Sequence, residues 1–277
     1  MLPWLKERPF YEVSSNRIAK RKNELKISII TAVYNRGATI QAAIDSVARQ
    51  HYRNIEYVVV DGNSTDDTES IVRKSDRVDN YVRGKDDGIY DALNIGIRTA
   101  TGDVIGFLHA DDLLADEYAI HRVAETLTNT SAQCVYGDLL YVNATDPGRI
   151  IRYWRSGDFA RQSFRRGWMP PHPTVYFSAD VYERFGNFRT DMSISADYEL
   201  MVRMLFCNSV PTAYVPHVQV KMRVGGKSNA SVQNRLLANA EDRRAWELND
   251  LLPPRFLRFL KPARKISQYW RRPVAAR

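Results

Sequence analysis

The stretch "KISIITAVYNRGATIQAAIDSVARQHYRNIEYVVVDG", residues 26–62, decides the fold. Its opening, "KISIITAVY", is β-branched and suits a buried strand. In "TIQAAIDSVARQ", Ile40, Ala43, Ile44 and Val47 recur at i, i+3, i+4 and i+7, the apolar stripe of a helix. "IEYVVV" reads as a second strand, closed by the turn and cap residues of "DGNSTDD". Strand, helix and strand in this order predict two parallel strands joined by a helical crossover.

The same alternation continues outward. A short helix through "TESIVRK" precedes a strand at "DNYVRG". "IYDALNIGIRTA" has helical spacing at Ile89, Leu93 and Ile97, "DVIGFL" is the next strand, and "DEYAIHRVAETL" the helix after it. The expected class is α/β, a mostly parallel sheet flanked by helices. In such sheets ligands bind at the carboxyl ends of the strands. Tyr34-Asn35, Asp61-Gly62-Asn63 and Asp111-Asp112 all fall at those ends.

After residue 130 the pattern changes. "CVYGDLLYV" reads as a strand, and "RRGWMPPHPTVYF" is rich in Pro and aromatics. "SADVYERFG" and "SADYELMVRMLF" read as helices with Ser N-caps, and "TAYVPHVQVKMRV" as extended. No GxGxxG or GxxxxGK[ST] loop is present, which argues against a dinucleotide enzyme or a P-loop NTPase.

A chain of 277 residues accommodates one large α/β domain with a helical appendage. No run of about 18 apolar residues predicts a spanning helix, and "MLPWLKERPFYE" lacks the apolar core of a secretory signal. Cys134 and Cys207 alone give neither a disulfide framework nor zinc spacing, so a reducing cytoplasm is expected. The net charge of +8 points to anionic partners, but it is uneven: from Arg255 onward there are eight Lys/Arg and no acid. That tail interleaves Phe256, Leu257, Phe259, Leu260, Ile266, Tyr269 and Trp270 with cations. It suits an amphipathic helix on an anionic membrane, interrupted at Pro262, or a terminal helix packed on the body.

Taken in order, "ISIITAVYN", "IEYVVVDGNSTDDT", "ALNIGIRTATGDVIGFLHADD" and "SADYELMVRML" resemble the landmarks of the family 2 glycosyltransferases, over roughly residues 26–225. The run "DDGIYDALNIGIRTATGDVIGFLHADD" is similar to the branch that builds bacterial exopolysaccharides and lipid-linked glycans. Departures occur at Ala32 (commonly Pro), at Gly62-Asn63, where one of two acids is missing, and at Leu93, where an arginine is common. The resemblance implies a GT-A fold with a C-terminal helical extension, and an inverting, metal-dependent transfer from a nucleoside-diphosphate sugar to a glycan or lipid-linked hydroxyl. The expected division is a polar, weakly patterned N-terminal arm (1–25), then by the resemblance a nucleotide-sugar half (26–130) and an acceptor half (131–228), and last C-terminal helices (229–277) with the basic tail.

Asp111 and Asp112 are similar to the family's DxD-type motif. By that resemblance Asp112 is expected to be the direct ligand of Mg²⁺ or Mn²⁺, with Asp111 leaning toward ribose or a bridging water. On residue type alone, the pair equally suits a turn. Tyr34 and Asp61 match base-binding positions, Tyr34 stacking on a base and Asp61 accepting a hydrogen bond from base or ribose. Asp86 and Asp91, which flank "GIYDALN", are candidates to face sugar or ribose and as readily serve the turn, and Asn94 reads as structural. Asp66 and Asp67 read as helix caps. Asp197 matches the catalytic base, where the helix N-terminus favours its ionised form. His172 and Trp168 lie where family members line the acceptor; His109 stays open between ligand and structural residue. Rival readings are a nucleotidyltransferase, which lacks its Gly-rich basic loop here, a basic nucleic-acid module, which acidic strand ends disfavour, and an inactive scaffold. The expected place of work is cytoplasmic, peripheral on the inner face of the cell membrane.

Overall fold

The computed structural model describes residues 25–225 and 232–270, so the arm expected over 1–25 lies outside the described residues except for Leu25. The βαβ unit forms as its pattern requires. β1 (Ile27–Val33) and β2 (Ile55–Asp61) pair in parallel, Ile27 opposite Ile55 and Val33 opposite Asp61, and α1 (Gly37–Ala48) crosses between them. Ile40, Ala43, Ile44 and Val47, the predicted stripe, are the side chains α1 buries.

The chain continues through α2 (Thr68–Arg73), β3 (Asn80–Arg83), α3 (Ile89–Thr99) and β4 (Val104–Phe107). β3 and β4 extend the parallel sheet on either side, giving the order β3-β2-β1-β4. α3 lies tightly on this sheet: a Cβ on Gly96 would stand 2.3 Å from Ile30.

Beyond β4 come β5 (Leu113–Leu114), α4 (Ala119–Asn129), β6 (Cys134–Val142), β7 (Ile150–Trp154), β8 (Tyr176–Ser178), α5 (Ala179–Phe185), α6 (Ala196–Met201) and β9 (Thr212–Arg223). The same sheet runs on as β4-β8-β6-β9-β5, with β7 on β6, but the pairing becomes mixed. β8 is antiparallel to both β4 and β6, while β6 and β9 are parallel. α7 (Val232–Glu247) and α8 (Leu257–Ile266) complete the described chain. Two apolar clusters fill the faces of the sheet, one under α1 and α4, the other under α3 and α6 with Trp246 of α7 and Leu257 of α8. Among the described residues no helix is long and apolar enough to cross a membrane.

Three local expectations need correction. Ser178 and Ser195 sit at the N-cap positions of α5 and α6, yet neither makes a side-chain cap bond. Ser195 offers its hydroxyl to the carbonyl of Ala238 instead, while its N–H is taken by Glu241. The helix read through "SADYELMVRMLF" also widens into a π-helical stretch, Val202–Cys207, after α6. Pro262 does not interrupt α8, which runs through it. One missing N–H is tolerable there because Leu257 and Lys261 hold the helix to the body.

Candidate active site

Tyr34-Asn35, Asp61 and Asp111-Asp112 follow or end β1, β2 and β4, three adjacent parallel strands, so the topology gathers them on one edge. The loops after β1 and β2 are laced together. Asn35, at φ 51°, accepts the N–H of Thr65 through its Oδ1 at 2.8 Å, while its own N–H donates to Ser64 Oγ at 2.9 Å. Tyr34 is left 59% exposed, its ring free to cover a flat ligand. Asp61 is fully buried; Oδ1 accepts the N–H of Ser64 at 2.7 Å and Oδ2 the hydroxyl of Tyr81 at 2.6 Å. Asp66 caps two helices at once, accepting Gly37 N–H of α1 and Thr68 N–H of α2. Asp67 precedes α2 without a side-chain cap bond.

On α3, Asp91 accepts the N–H of Asp87 at 3.2 Å, bracing the loop that enters the helix. Asn94 is structural: its amide brackets Phe188, donating to that residue's carbonyl and accepting its N–H.

At the end of β4, Asp112 is 1% exposed. Its Oδ1 accepts the N–H of Arg223 at 3.1 Å, and Arg223 Nη1 donates to the carbonyl of Asp111 at 2.5 Å, so β9 clamps the acidic turn. Asp112 Oδ2 is buried with no partner among the described residues. Burial, and then the neighbouring Asp111, push the Asp112 carboxyl well above the usual range. A buried carboxylate oxygen lacking a donor is the mark of a missing positive partner, and a divalent cation is a chemically apt one. No group of three or more His, Cys, Asp or Glu among the described residues could hold such an ion alone. A hard cation that keeps its other positions for phosphate and water needs only one or two carboxylates.

His109 and His172 meet beside this turn, ring centroids 6.2 Å apart. His172 stacks on Phe107 at 5.5 Å and meets the edge of Phe188 at 5.6 Å, with both ring nitrogens buried and unpartnered among the described residues. Burial, helped by His109, pushes its pKa down to about 3, so the ring is neutral and can donate at one nitrogen and accept at the other. His109 is likewise lowered by burial, against the pull of Asp111. Trp168 is placed elsewhere. It is 6% exposed, gives its indole N–H to the carbonyl of Ser156 at 2.9 Å, and is packed against Tyr136, Phe159 and Phe164. Such a ring has no open face for a sugar, and its position corrects the expectation of acceptor stacking.

Asp197 stands in the first turn of α6, with its Oδ1 accepting the N–H of Tyr198 at 2.8 Å. Its carboxyl is pushed up to about 6, chiefly by burial; the Lys261 ammonium and the Tyr198 N–H oppose the rise and Asp242 adds to it. Lys261 arrives from α8, 2.7 Å from Asp242 and 3.7 Å over the Tyr198 ring. Glu199 points away, in an ion pair with Arg203 at 2.9 Å, as expected of residues two apart on a helix. Glu241, Lys261, Tyr81 and Arg223 carried no signal in the sequence. Each acts through a partner far away along the chain, and no local pattern marks such a residue.

Comparison with known proteins agrees with this geometry. Residues 28–184 match Glycosyl transferase family 2. A "PGL/p-HBAD biosynthesis glycosyltransferase" of Mycobacterium bovis is 31% identical over 218 residues, 76% of this chain and 82% of the relative. S. aureus TarS 1-349 in complex with UDP-GlcNAc superposes with a TM-score of 0.62 at 17% identity, covering 81% of this chain and 72% of that one. The mannosyltransferase PcManGT from Pyrobaculum calidifontis, in complex with GDP-Man and Mn2+, gives 0.59 at 21%, covering 86% and 68%. These likenesses carry the GT-A fold that the family resemblance implied. With the matched landmarks lying on the strand ends that hold Tyr34, Asp61 and Asp112, the chain belongs to glycosyl transferase family 2 and is a glycosyltransferase.

Proposed function

We propose that the enzyme moves a sugar from a nucleoside-diphosphate donor to a hydroxyl of a glycan or lipid-linked acceptor, with inversion and with Mg²⁺ or Mn²⁺, in bacterial polysaccharide biosynthesis. The observation that carries this reading is the state of Asp112, buried with an unpartnered oxygen at the end of β4, and Asp197, raised to about 6 on a turn braced by α7 and α8, supplies a base. In this reading residues 26–130 serve the donor and 131–228 the acceptor.

Tyr34 covers the base, and Asp61, buried and bonded to Ser64 and Tyr81, meets base or ribose when one of those bonds gives way to the ligand. Asp91 and Asp111 border the ribose and sugar. Asp112, helped by Asp111, holds the cation, which would neutralise charge on the departing diphosphate. Asp197 takes the proton of the acceptor hydroxyl as that oxygen attacks the anomeric carbon from the face opposite the diphosphate. A carboxylate poised near pH 6 is a competent base at neutral pH and is nearly all ionised there. Neutral His172 hydrogen-bonds a sugar hydroxyl. The complexes of TarS with UDP-GlcNAc and of PcManGT with GDP-Man and Mn2+ support the donor class and the metal. The C-terminal helices work at the surface of an anionic membrane, where a lipid-linked acceptor is found.

The test is donor consumption by Asp197→Asn and Asp112→Ala beside the parent enzyme, over a panel of UDP-, GDP- and dTDP-sugars with Mn²⁺. Loss of turnover in both is expected, by a factor of at least about 10² each. Near-normal turnover in either variant overturns that residue's role.

A further inference from the structure

α8 has two faces, and only one is accounted for by packing. Its inner side is anchored: Leu257 is 3% exposed, and Lys261 pairs with Asp242 at 2.7 Å. A Cβ on Gly167 would stand 2.7 Å from the Lys261 nitrogen, so the helix backbone presses directly on the loop beneath it. The outer side carries large apolar groups in water. Phe256 and Phe259 are each 58% exposed, Trp270 just beyond the helix 76%, and Leu252 just before it 84%. Arg258 lies 4.5 Å over the Phe259 ring and Arg255 6.0 Å over that of Phe256. Arg264 is exposed on the same helix, and no acid occurs from Arg255 to the end of the chain.

We propose that this face docks the enzyme on an anionic lipid bilayer, with Phe256, Phe259 and Trp270 entering the headgroup boundary and Arg255 and Arg258 meeting lipid phosphates. The combination selects the occupant. A second copy of the same face would bring arginines against arginines, and the acidic strand ends of the body disfavour a nucleic acid. A basic helix with aromatics on its open face lies in the bilayer interface. The inner side of α8 sets Lys261 beside Asp242 and Tyr198, so the helix that docks also packs against the α6 turn that carries Asp197. The inference rests on the membrane-facing part of the reading above and sharpens it to particular side chains.

The experiment is co-pelleting of the full chain with vesicles of phosphatidylcholine, alone or mixed with phosphatidylglycerol, at low and high salt. Partition is expected to be about tenfold stronger on the anionic vesicles and to fall with salt. Phe256→Ser/Phe259→Ser is expected to lower it by about tenfold, and Arg255→Glu/Arg258→Glu to remove the preference for anionic lipid. The four positions are exposed, so thermal midpoints and donor consumption on a water-soluble acceptor stay at the parent level. Equal pelleting on both vesicle types, or variants that pellet like the parent, overturns the docking face. So does a dimer, seen by sedimentation velocity, that the variants abolish while vesicle binding is absent. Donor consumption reports on the transfer reaction separately: if it fails while pelleting persists, the reaction reading falls and the docking face stands.

Discussion

Glu241 accepts the backbone N–H of Ser195 at 2.7 Å, two residues ahead of Asp197. The same carboxylate accepts the N–H groups of Ser193 and Ile194 at 2.8 and 2.9 Å, and Tyr90 donates its hydroxyl to the Ile194 carbonyl. One side chain of α7 thus fixes the three residues that deliver the base. Glu241→Gln puts an amide donor among three N–H donors. We expect about 2–4 kcal/mol of lost stability in urea unfolding, and a kcat drop that exceeds any change in donor KM. Unchanged kcat in the folded variant would contradict this positioning role.

Asp197 links activity and stability with opposite signs. Its folded pKa, about 6, lies above the ordinary 3.8. The folded state therefore holds the proton more tightly, and the stability this group contributes below about pH 4 is lost as pH rises through about 6. Activity should climb over the same range as the base ionises. Asp197→Asn keeps an acceptor for the Tyr198 N–H, so it should abolish turnover yet be more stable than the parent at pH 8, by up to about 3 kcal/mol, with little difference at pH 4. Equal thermal midpoints at pH 8 argue against a raised carboxyl.

The Asp112 site can be read without a substrate. With UDP or GDP present, Mn²⁺ titrated into the parent enzyme should raise its thermal midpoint above that with the nucleotide alone, and EDTA should reverse the rise. Asp112→Asn keeps an acceptor for the Arg223 N–H and should fold normally while losing the Mn²⁺ response. A variant that still responds to Mn²⁺ places the cation elsewhere.

Tyr34 and Trp168 are predicted to behave as opposites. Tyr34→Ala removes an exposed ring, so stability should change by less than about 0.5 kcal/mol while donor KM rises about tenfold. Trp168→Ala empties a packed site and should cost about 3–5 kcal/mol. An effect of Trp168→Ala on acceptor KM alone, at full stability, would restore the sugar-stacking assignment.

How far the sequence carried these conclusions depends on the distance between partners. The βαβ unit was legible because its periods, two and 3.6, sit in consecutive residues such as Ile40, Ala43, Ile44 and Val47. Gathering Tyr34, Asp61 and Asp112 on one edge followed from parallel order alone. Trp168 was misread because an aromatic in a Pro-rich loop has the same local signature whether it faces a ligand or a core. Neither Glu241 nor Lys261 was singled out, since each acts on the α6 segment across 40 or more residues of chain. The widening to π-helix after α6 also left no trace, for "VRMLFC" reads as ordinary helix.

The strands β3-β2-β1-β4 and β8-β6-β9-β5 share one continuous sheet, joined where β4 meets β8 antiparallel. Two halves welded by a strand pair cannot swing like jaws, so in the proposed division of the chain any fit to the acceptor falls to the loops and helices hung on the far strands. Grafting residues from a relative onto the stretch between β7 and β8 would be a direct way to ask whether acceptor choice travels as a separate inheritance.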